Sequence, residues 1–292
     1  MLHLRWHYQL FILSGGFLLG GFLSPDLEPT SFFIQFANVH LLLFGGATAY
    51  NSYWDKDTGP IGGLQNPPPM NQWMWLGSML LQLGGLILAL PQGTLYLAIY
   101  VASLVLFWLY STPLARWKSR PIKSLVAIGL STGLNAVLLG YLAAGNASLP
   151  GPVLLAALGV SLMLLSLYPL SQIYQLKEDR RRGDQTFAVQ YGKKAVFRFF
   201  SVAFGMGLLL VAAAMGYYHL QLAFIFGMIG AITGGTVRLT LHSLGAREGD
   251  YQTVMRIKYG TSMAFVIFLV AVLLLKHGPD LGIAQVADLL LK

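Results

Sequence analysis

A bundle of membrane-spanning α-helices is the fold this sequence predicts, and three observations predict it. Hydrophobic residues make up 55% of the 292-residue chain and charged residues only 10%, whereas a soluble globular domain carries roughly 25% charged residues. Continuously apolar runs of the roughly 20 residues that a helix needs to cross a bilayer recur along the whole length. Lysine and arginine are confined to every second connection between those runs, the asymmetry that orients helical membrane proteins. The runs are continuous rather than alternating in stretches of about ten residues, so helices and not a β-barrel are expected.

The runs fall at about residues 8 to 24, 31 to 50, 72 to 90, 93 to 111, 122 to 143, 152 to 174, 196 to 217, 219 to 237 and 259 to 276. The fold expected is therefore all-α, a polytopic bundle of nine transmembrane helices in a single domain over 1–292. The first run is short, and its Gly15, Gly16, Gly20 and Gly21 allow close helix packing. No small-residue cleavage site follows it, so it reads as a retained helix and not a signal peptide. Only Tyr217, Tyr218 and His219 divide the seventh run from the eighth.

Positive charge orients the bundle. Arg5 precedes the first run and Lys56 follows the second; Arg116, Lys118, Arg120 and Lys123 lie between the fourth and fifth. Seven lysines and arginines from Lys177 to Arg198 separate the sixth from the seventh, and Arg238, Arg247, Arg256 and Lys258 the eighth from the ninth. The positive-inside rule puts the amino terminus and the connections at about 51–71, 112–121, 175–195 and 238–258 in the cytoplasm, with the carboxyl terminus outside. The expected setting is a bacterial inner membrane with the active site facing the cytoplasm. The net charge of +8 thus serves topology, and no nucleic-acid partner is implied. Cysteine is absent, so there is neither a disulfide framework nor a thiolate metal site. The tail around Ile283 to Leu291 is mildly amphipathic and suits the outer interface.

Eleven carboxylates serve the whole chain, yet five stand in two patches, N51-S-Y-W-D55-K-D57 and E178-D179-R-R-R-G-D184. Ionisable groups at the edge of a membrane span are costly unless paired, metal-bound or wet, which makes them a functional-site hypothesis. Asn51 and Asp55 share one face of a helical extension, as do Gln175 and Asp179. Asp57 joins the first pair through the bend at Thr58-Gly59-Pro60. Either patch alone reads nearly as well as solvated loop charge; two in matched places on one side of the bundle do not. Facing each other, the patches make an oxygen-rich pocket suited to Mg2+, with Asn51, Asp55, Asp57, Glu178, Asp179 and Asp184 as candidate ligands. Arg116 and Lys118, bracketed by Pro113 and Pro121, and Arg180 and Arg182 are candidate diphosphate contacts. Metal plus cations is how a protein holds a diphosphate and stabilises its departure.

At these residues the chain resembles the UbiA-type intramembrane prenyltransferases, over essentially its whole length. NSYWDKD is similar to the family's first acidic signature, with Gly59 standing where a second aspartate is usual. Q175LKED179RRRG183DQT186 is similar to the second, with Gln175 in place of its first aspartate. Y110STPLARWK118 resembles the segment that touches diphosphate. The resemblance implies nine helices and Mg2+-dependent transfer from an isoprenyl diphosphate to a hydrophobic or aromatic acceptor. It also implies catalytic roles for Asp55, Asp179 and Lys118. Tyr53, Tyr110, Tyr174 and Gln175 would line the cavity, and His242, Glu248 and Asp250 would belong to a cap. Asn135 either bonds across helices or faces the cavity. G59PIGGLQNPPP69 specifies an ordered loop over the pocket. Membrane lipid surrounds the whole. The competing classes are a catalytically inactive prenyltransferase-like binding or assembly protein, predicted by Gly59 and Gln175, and a membrane transporter. A transporter is disfavoured because the charges lie at the rim and not at the midplane.

Overall fold

The structure, a computed structural model, describes residues 2–56, 59–244 and 251–281. Asp57, Glu248, Asp250 and the tail around 283 to 291 lie outside the described residues. Among those described there are nine helices, here α1 to α9, and no named strand. They are α1 (6–23), α2 (Pro29–Asp55), α3 (Gln72–Gln92), α4 (Thr94–Ser111), α5 (Pro121–Ala143), α6 (Gly151–Arg182), α7 (Phe187–Tyr218), α8 (Leu220–Leu244) and α9 (Tyr251–His277).

Eight of these, α2 to α9, are long and apolar enough to cross a membrane. The first expected span, α1, opens with the polar Trp6-His7-Tyr8-Gln9 and falls short of that measure. Its position explains the difference. Phe17, Leu19, Phe22 and Leu23 are buried, so α1 packs inside the bundle and faces protein more than lipid. A Cβ on Gly20 would stand 2.5 Å from the Tyr141 backbone nitrogen, and one on Gly140 2.8 Å from the Phe17 Cα. The backbones of α1 and α5 therefore touch, and such close approach is how helices gain packing where lipid offers no hydrophobic drive. The antiparallel pair α6 and α7 repeats the device, since a Cβ on Gly207 would meet the Gly159 carbonyl at 2.6 Å.

Helix ends follow local chemistry. Glu28 caps α2, accepting from the Ser31 backbone N–H at 2.6 Å, with Pro29 at the first helical position. Asn71 caps α3 by accepting from the Met74 N–H at 2.9 Å. The chain leaves the helix at His219 (φ −146°, ψ 89°), dividing α7 from α8 at the expected interruption. Gly192 (φ 76°, ψ 170°) breaks the first turns of α7 from the rest. Gly183 (φ 75°) ends α6 in the left-handed conformation that glycine adopts without penalty.

At 32 residues α6 is about 48 Å long, against roughly 30 Å of hydrocarbon in a bilayer. Its last turns project past the apolar zone and carry Gln175 to Arg182 into the site. Wide π turns at Gln9–Leu13, Asn38–Phe44 and Gly129–Leu134 supply Gln9, Ile12, Leu13, Phe44 and Thr132 to one central cavity, the use such bulges commonly have.

Candidate active site

One end of the bundle gathers both acidic patches around a cavity of roughly 220 Å³. The first patch sits on the last turns of α2. There Asn51 donates Nδ2 to Asp55 Oδ2 at 2.9 Å and accepts from Ser111 Oγ at 3.0 Å on α4. Four-residue spacing on a helix puts the amide and carboxylate on one face, and Ser111 fixes the direction of the amide.

The second patch is organised by the end of α6. Asp179, buried at 8% exposure, accepts from Thr186 Oγ1 at 3.0 Å, while its carbonyl takes the Asp184 N–H at 2.9 Å. Asp184 receives a two-pronged bond from Arg116, Nε at 3.1 Å and Nη2 at 2.9 Å. Planar guanidinium and carboxylate match geometrically, which makes this pair directional as well as charged. Arg182 bonds Glu178 at 2.6 Å, four residues earlier on α6.

Between the patches stands Lys118, buried and ion-paired to Asp55. It lies in the connection between α4 and α5, where Arg116 takes a left-handed φ of 38° and the Ser119 carbonyl accepts the Gln185 N–H at 3.0 Å. That bond ties this connection to the one after α6. Burial pushes the Lys118 ammonium down to about 8, against the opposing pull of Asp184, Asp179 and Glu178.

The loop after α2 folds over the same space. Ile61 and Leu64 exchange backbone bonds of 2.9 Å around Gly63 (φ 85°). Arg5 holds the loop from α1's side, donating to the carbonyls of Gly62 (2.9 Å) and Thr48 (3.2 Å). A Cβ on Gly59 would stand 3.1 Å from Glu178 Oε2, and Gln175 Nε2 reaches the Pro60 carbonyl at 3.4 Å. The two patches thus face each other across the cavity.

Of the residues singled out from sequence, Asn51, Asp55, Tyr110, Lys118, Tyr174, Gln175, Asp179, Arg182 and Asp184 line the cavity. Glu178 and Arg116 support it through Arg182 and Asp184. Arg180 is exposed and off the cavity: two residues from Arg182, it lies on another face of the helix. Tyr53 stacks near Trp75 at 5.7 Å, and Asn135 bonds Ser103 Oγ on α4 at 2.9 Å; neither reaches the cavity, so Asn135 takes the cross-helix alternative. His242 is exposed near the end of α8. Sequence reasoning missed Arg5, Tyr8 and Lys258, all of which line the cavity. In the sequence the positive charge of Arg5 and Lys258 reads as topology, and Tyr8 as an ordinary interface aromatic.

Among the described residues no three acidic or histidine side chains converge closely enough to cage a bare cation. The donors present, Asn51, Asp55, Asp179 and Asp184, are all oxygen ligands. They fit a hard cation bound through one or two carboxylates and completed by phosphate oxygens.

A helical membrane bundle that closes one end with carboxylates, an amide and buried cations over an apolar interior defines an enzyme of the bilayer, built for a charged head on a hydrocarbon tail. The chain belongs to the UbiA prenyltransferase family, whose model matches residues 10–258. A UbiA homologue from Archaeoglobus fulgidus bound to GPP and Mg2+ has a similar structure, with a TM-score of 0.72 at 14% identity over 93% of this chain and 98% of that one. The homologue bound to DMAPP and Mg2+ gives the same values, 0.72, 14%, 93% and 98%. A digeranylgeranylglyceryl phosphate synthase structure is similar at a TM-score of 0.60 and 19% identity, over 94% of this chain and 98% of that one. At these identities the structural likeness speaks for the fold. No curated protein matches the chain.

Proposed function

We propose that this protein transfers an isoprenyl group from a polyprenyl diphosphate to a lipophilic acceptor, releasing diphosphate, at the cytoplasmic end of the bundle. One observation carries the reading: residues from both acidic patches and Lys118 ring a cavity whose inner wall is apolar. That inner part shares Ile12, Leu13, Leu164 and Leu167 with a second cavity of roughly 80 Å³, lined chiefly by Val, Leu and Phe. A diphosphate fits the rim and a hydrocarbon chain fits the interior.

Asn51, Asp55, Asp179 and Asp184 would hold Mg2+, which when bound neutralises diphosphate charge and favours its departure. Lys118 exchanges Asp55 for a diphosphate oxygen, and Arg182 stands on the same wall. As the allylic carbon–oxygen bond breaks, its electron pair stays on diphosphate and these two cations offset the added charge. Phe107 and the hydrogen-bonded pair Tyr110 and Tyr168 (2.9 Å) bring ring surfaces to the cavity beside the electron-poor carbon. The apolar walls exclude water, the competing nucleophile. The acceptor then bonds the allylic carbon and gives up a proton.

The test incubates the purified full-length protein in liposomes with Mg2+, labelled geranyl, farnesyl and geranylgeranyl diphosphates and a native lipid extract. A labelled lipophilic product and stoichiometric diphosphate are expected. No Mg2+-dependent diphosphate release with any donor sinks the reading in favour of a binding or assembly protein.

A further inference from the structure

The outside of the bundle at the active-site end has a feature that the chemistry above does not use. Neither α5 nor α7 contains an aspartate or glutamate, yet each begins with exposed cations, Lys123 on α5 and Lys194 and Arg198 on α7. The two helix beginnings are neighbours. The first turns of α5 touch α7, and just ahead of both helices the Ser119 carbonyl accepts the Gln185 N–H at 3.0 Å.

Position decides what these cations face. Beyond the break at Gly192, Lys194, Arg198, Val202 and Leu209 fall on one face of a continuous helix, and all four are exposed. Gly205 lies on the same face with nothing within 4 Å of where its Cβ would stand, so the stripe is notched between its two apolar residues. On α5 the chemistry repeats, from Lys123 to exposed Val126 and Leu130. Each stripe runs from cation at the helix end to bare hydrocarbon deeper in the membrane, the order in which a phospholipid presents phosphate and acyl chain. The Lys123 ammonium lies 5.5 Å from the centre of the Trp117 ring, an aromatic of the kind that settles at headgroup depth.

Topology asks only that positive charge gather at one end of the bundle. It does not ask for alignment. Lys194 and Arg198 stand four residues apart, where like charges repel across a helix face, and no carboxylate on either helix offsets them. An anion shared between them and Lys123 removes that cost, and basic pockets between transmembrane helices are where acidic headgroups bind. The hydrocarbon immediately beneath selects a lipid over a soluble phosphate.

We propose that Lys123, Lys194 and Arg198 hold the phosphate of an anionic phospholipid in the adjoining leaflet, its acyl chains lying along Val126 and Leu130 on α5 and Val202 to Leu209 on α7. Bound there, the lipid joins α5 to α7 from outside, adding to the Arg116–Asp184 pair that joins the connections ahead of them. The site goes beyond the prenyl-transfer reading and does not depend on it.

The test titrates the purified full-length protein in detergent micelles with dioleoylphosphatidylglycerol or dioleoylphosphatidylcholine and reads bound lipid by native mass spectrometry, with no prenyl donor present. The wild type should bind the anionic lipid at least about tenfold more tightly, since each cation near an acidic headgroup adds its own increment. Lys194→Gln with Arg198→Gln should cut that ratio to less than about threefold, and Lys123→Gln alone should lower it by at least about threefold. Arg238→Gln with Arg256→Gln, which removes the same charge from exposed positions on α8 and α9, should leave it within about twofold. The proposal is overturned if the wild type binds the two lipids alike, or if Lys123→Gln keeps the wild-type ratio. It is overturned as well if the α8 and α9 substitutions lower the ratio as much as the α7 pair, because the attraction then belongs to net charge and not to a site. Displacement of bound phosphatidylglycerol by glycerol 3-phosphate also overturns it, since the site then takes a soluble phosphate. Should the α7 pair not fold, judged by elution and melting, Lys123→Gln and the α8 and α9 control decide between the same outcomes. Absence of prenyl transfer with every donor would leave the lipid preference standing.

Discussion

Lys118 and Asp55 form an ion pair across the rim of the cavity, joining the connection after α4 to the last turn of α2. Each is a candidate for direct contact with the reaction, and each neutralises the other until substrate arrives. Asp55→Asn leaves the Lys118 cation in place but removes a metal ligand. Diphosphate release should fall by at least about a hundredfold, the loss typical of one electrostatic group aimed at developing charge. Lys118→Met should fall similarly in kcat. Single-turnover assays with a labelled donor check both, and a fall of less than about threefold in either would remove that residue from the chemistry.

The depressed Lys118 value sets a pH dependence. In the free protein the ammonium loses its proton around pH 8, and a bound diphosphate, by favouring the charged form, raises that value. Donor affinity is therefore full below about pH 8 and falls as pH rises above it, by up to about tenfold per unit, until the value in the complex is passed. Lys118→Arg stays charged throughout. The ratio of wild-type to Lys118→Arg affinity between pH 7 and 10 isolates this proton from the ionisations of the donor, and a flat ratio would refute the assignment.

Arg116 and Asp184 make a two-pronged bond that holds the short connection against the end of α6. Because Arg116 is 27% exposed at its side chain, solvent screening discounts the pair. Asp184→Ala should destabilise by about 1–3 kcal/mol, in the range for hydrogen bonds to charged groups. A double-mutant cycle with Arg116→Ala, read by thermal melting in detergent, should show coupling of at least about 0.5 kcal/mol. Additive effects would show the two connections to be held by Gln185 and Ser119 instead.

Gly20 and Gly140 mark the tightest contact between α1 and α5. Gly140→Ala would press a methyl group against the Phe17 backbone, which cannot rotate aside as a side chain does. A cost of about 1–3 kcal/mol is expected, seen as a lower melting temperature in detergent. Gly77→Ala, at a position with nothing within 4 Å, is the control and should melt within experimental scatter of the wild type.

Most of the fold was legible because lipid imposes simple rules: long apolar runs, charge confined to every second connection, and a break at His219. The polar opening of α1 blurred its limits, since a helix surrounded by protein need not be greasy at every turn. Much of the site was legible where local spacing carries it. Asn51 with Asp55 and Glu178 with Arg182 bond four residues apart, whereas Arg180, two residues from Arg182, is exposed elsewhere on the helix. What spacing does not carry is long-range convergence. Arg5 and Lys258 line one cavity because α1 packs against α9, and no motif around either residue announces it. Gln175, standing where the family has an aspartate, lies against the Pro60 carbonyl, a neutral contact that the sequence did not foretell.

The α1–α5 contact also bears on how the protein is made. Gly20 and Gly140 are separated by three whole helices and most of a fourth, and Leu273 on α9 approaches the Gly21 position from still farther along the chain. The translating ribosome therefore releases α1 well before its partners exist. With Trp6, His7 and Gln9 in its opening turns, the helix meets lipid poorly matched to its surface during that interval. The bundle's centre is thus assembled late, around a helix that was waiting for it.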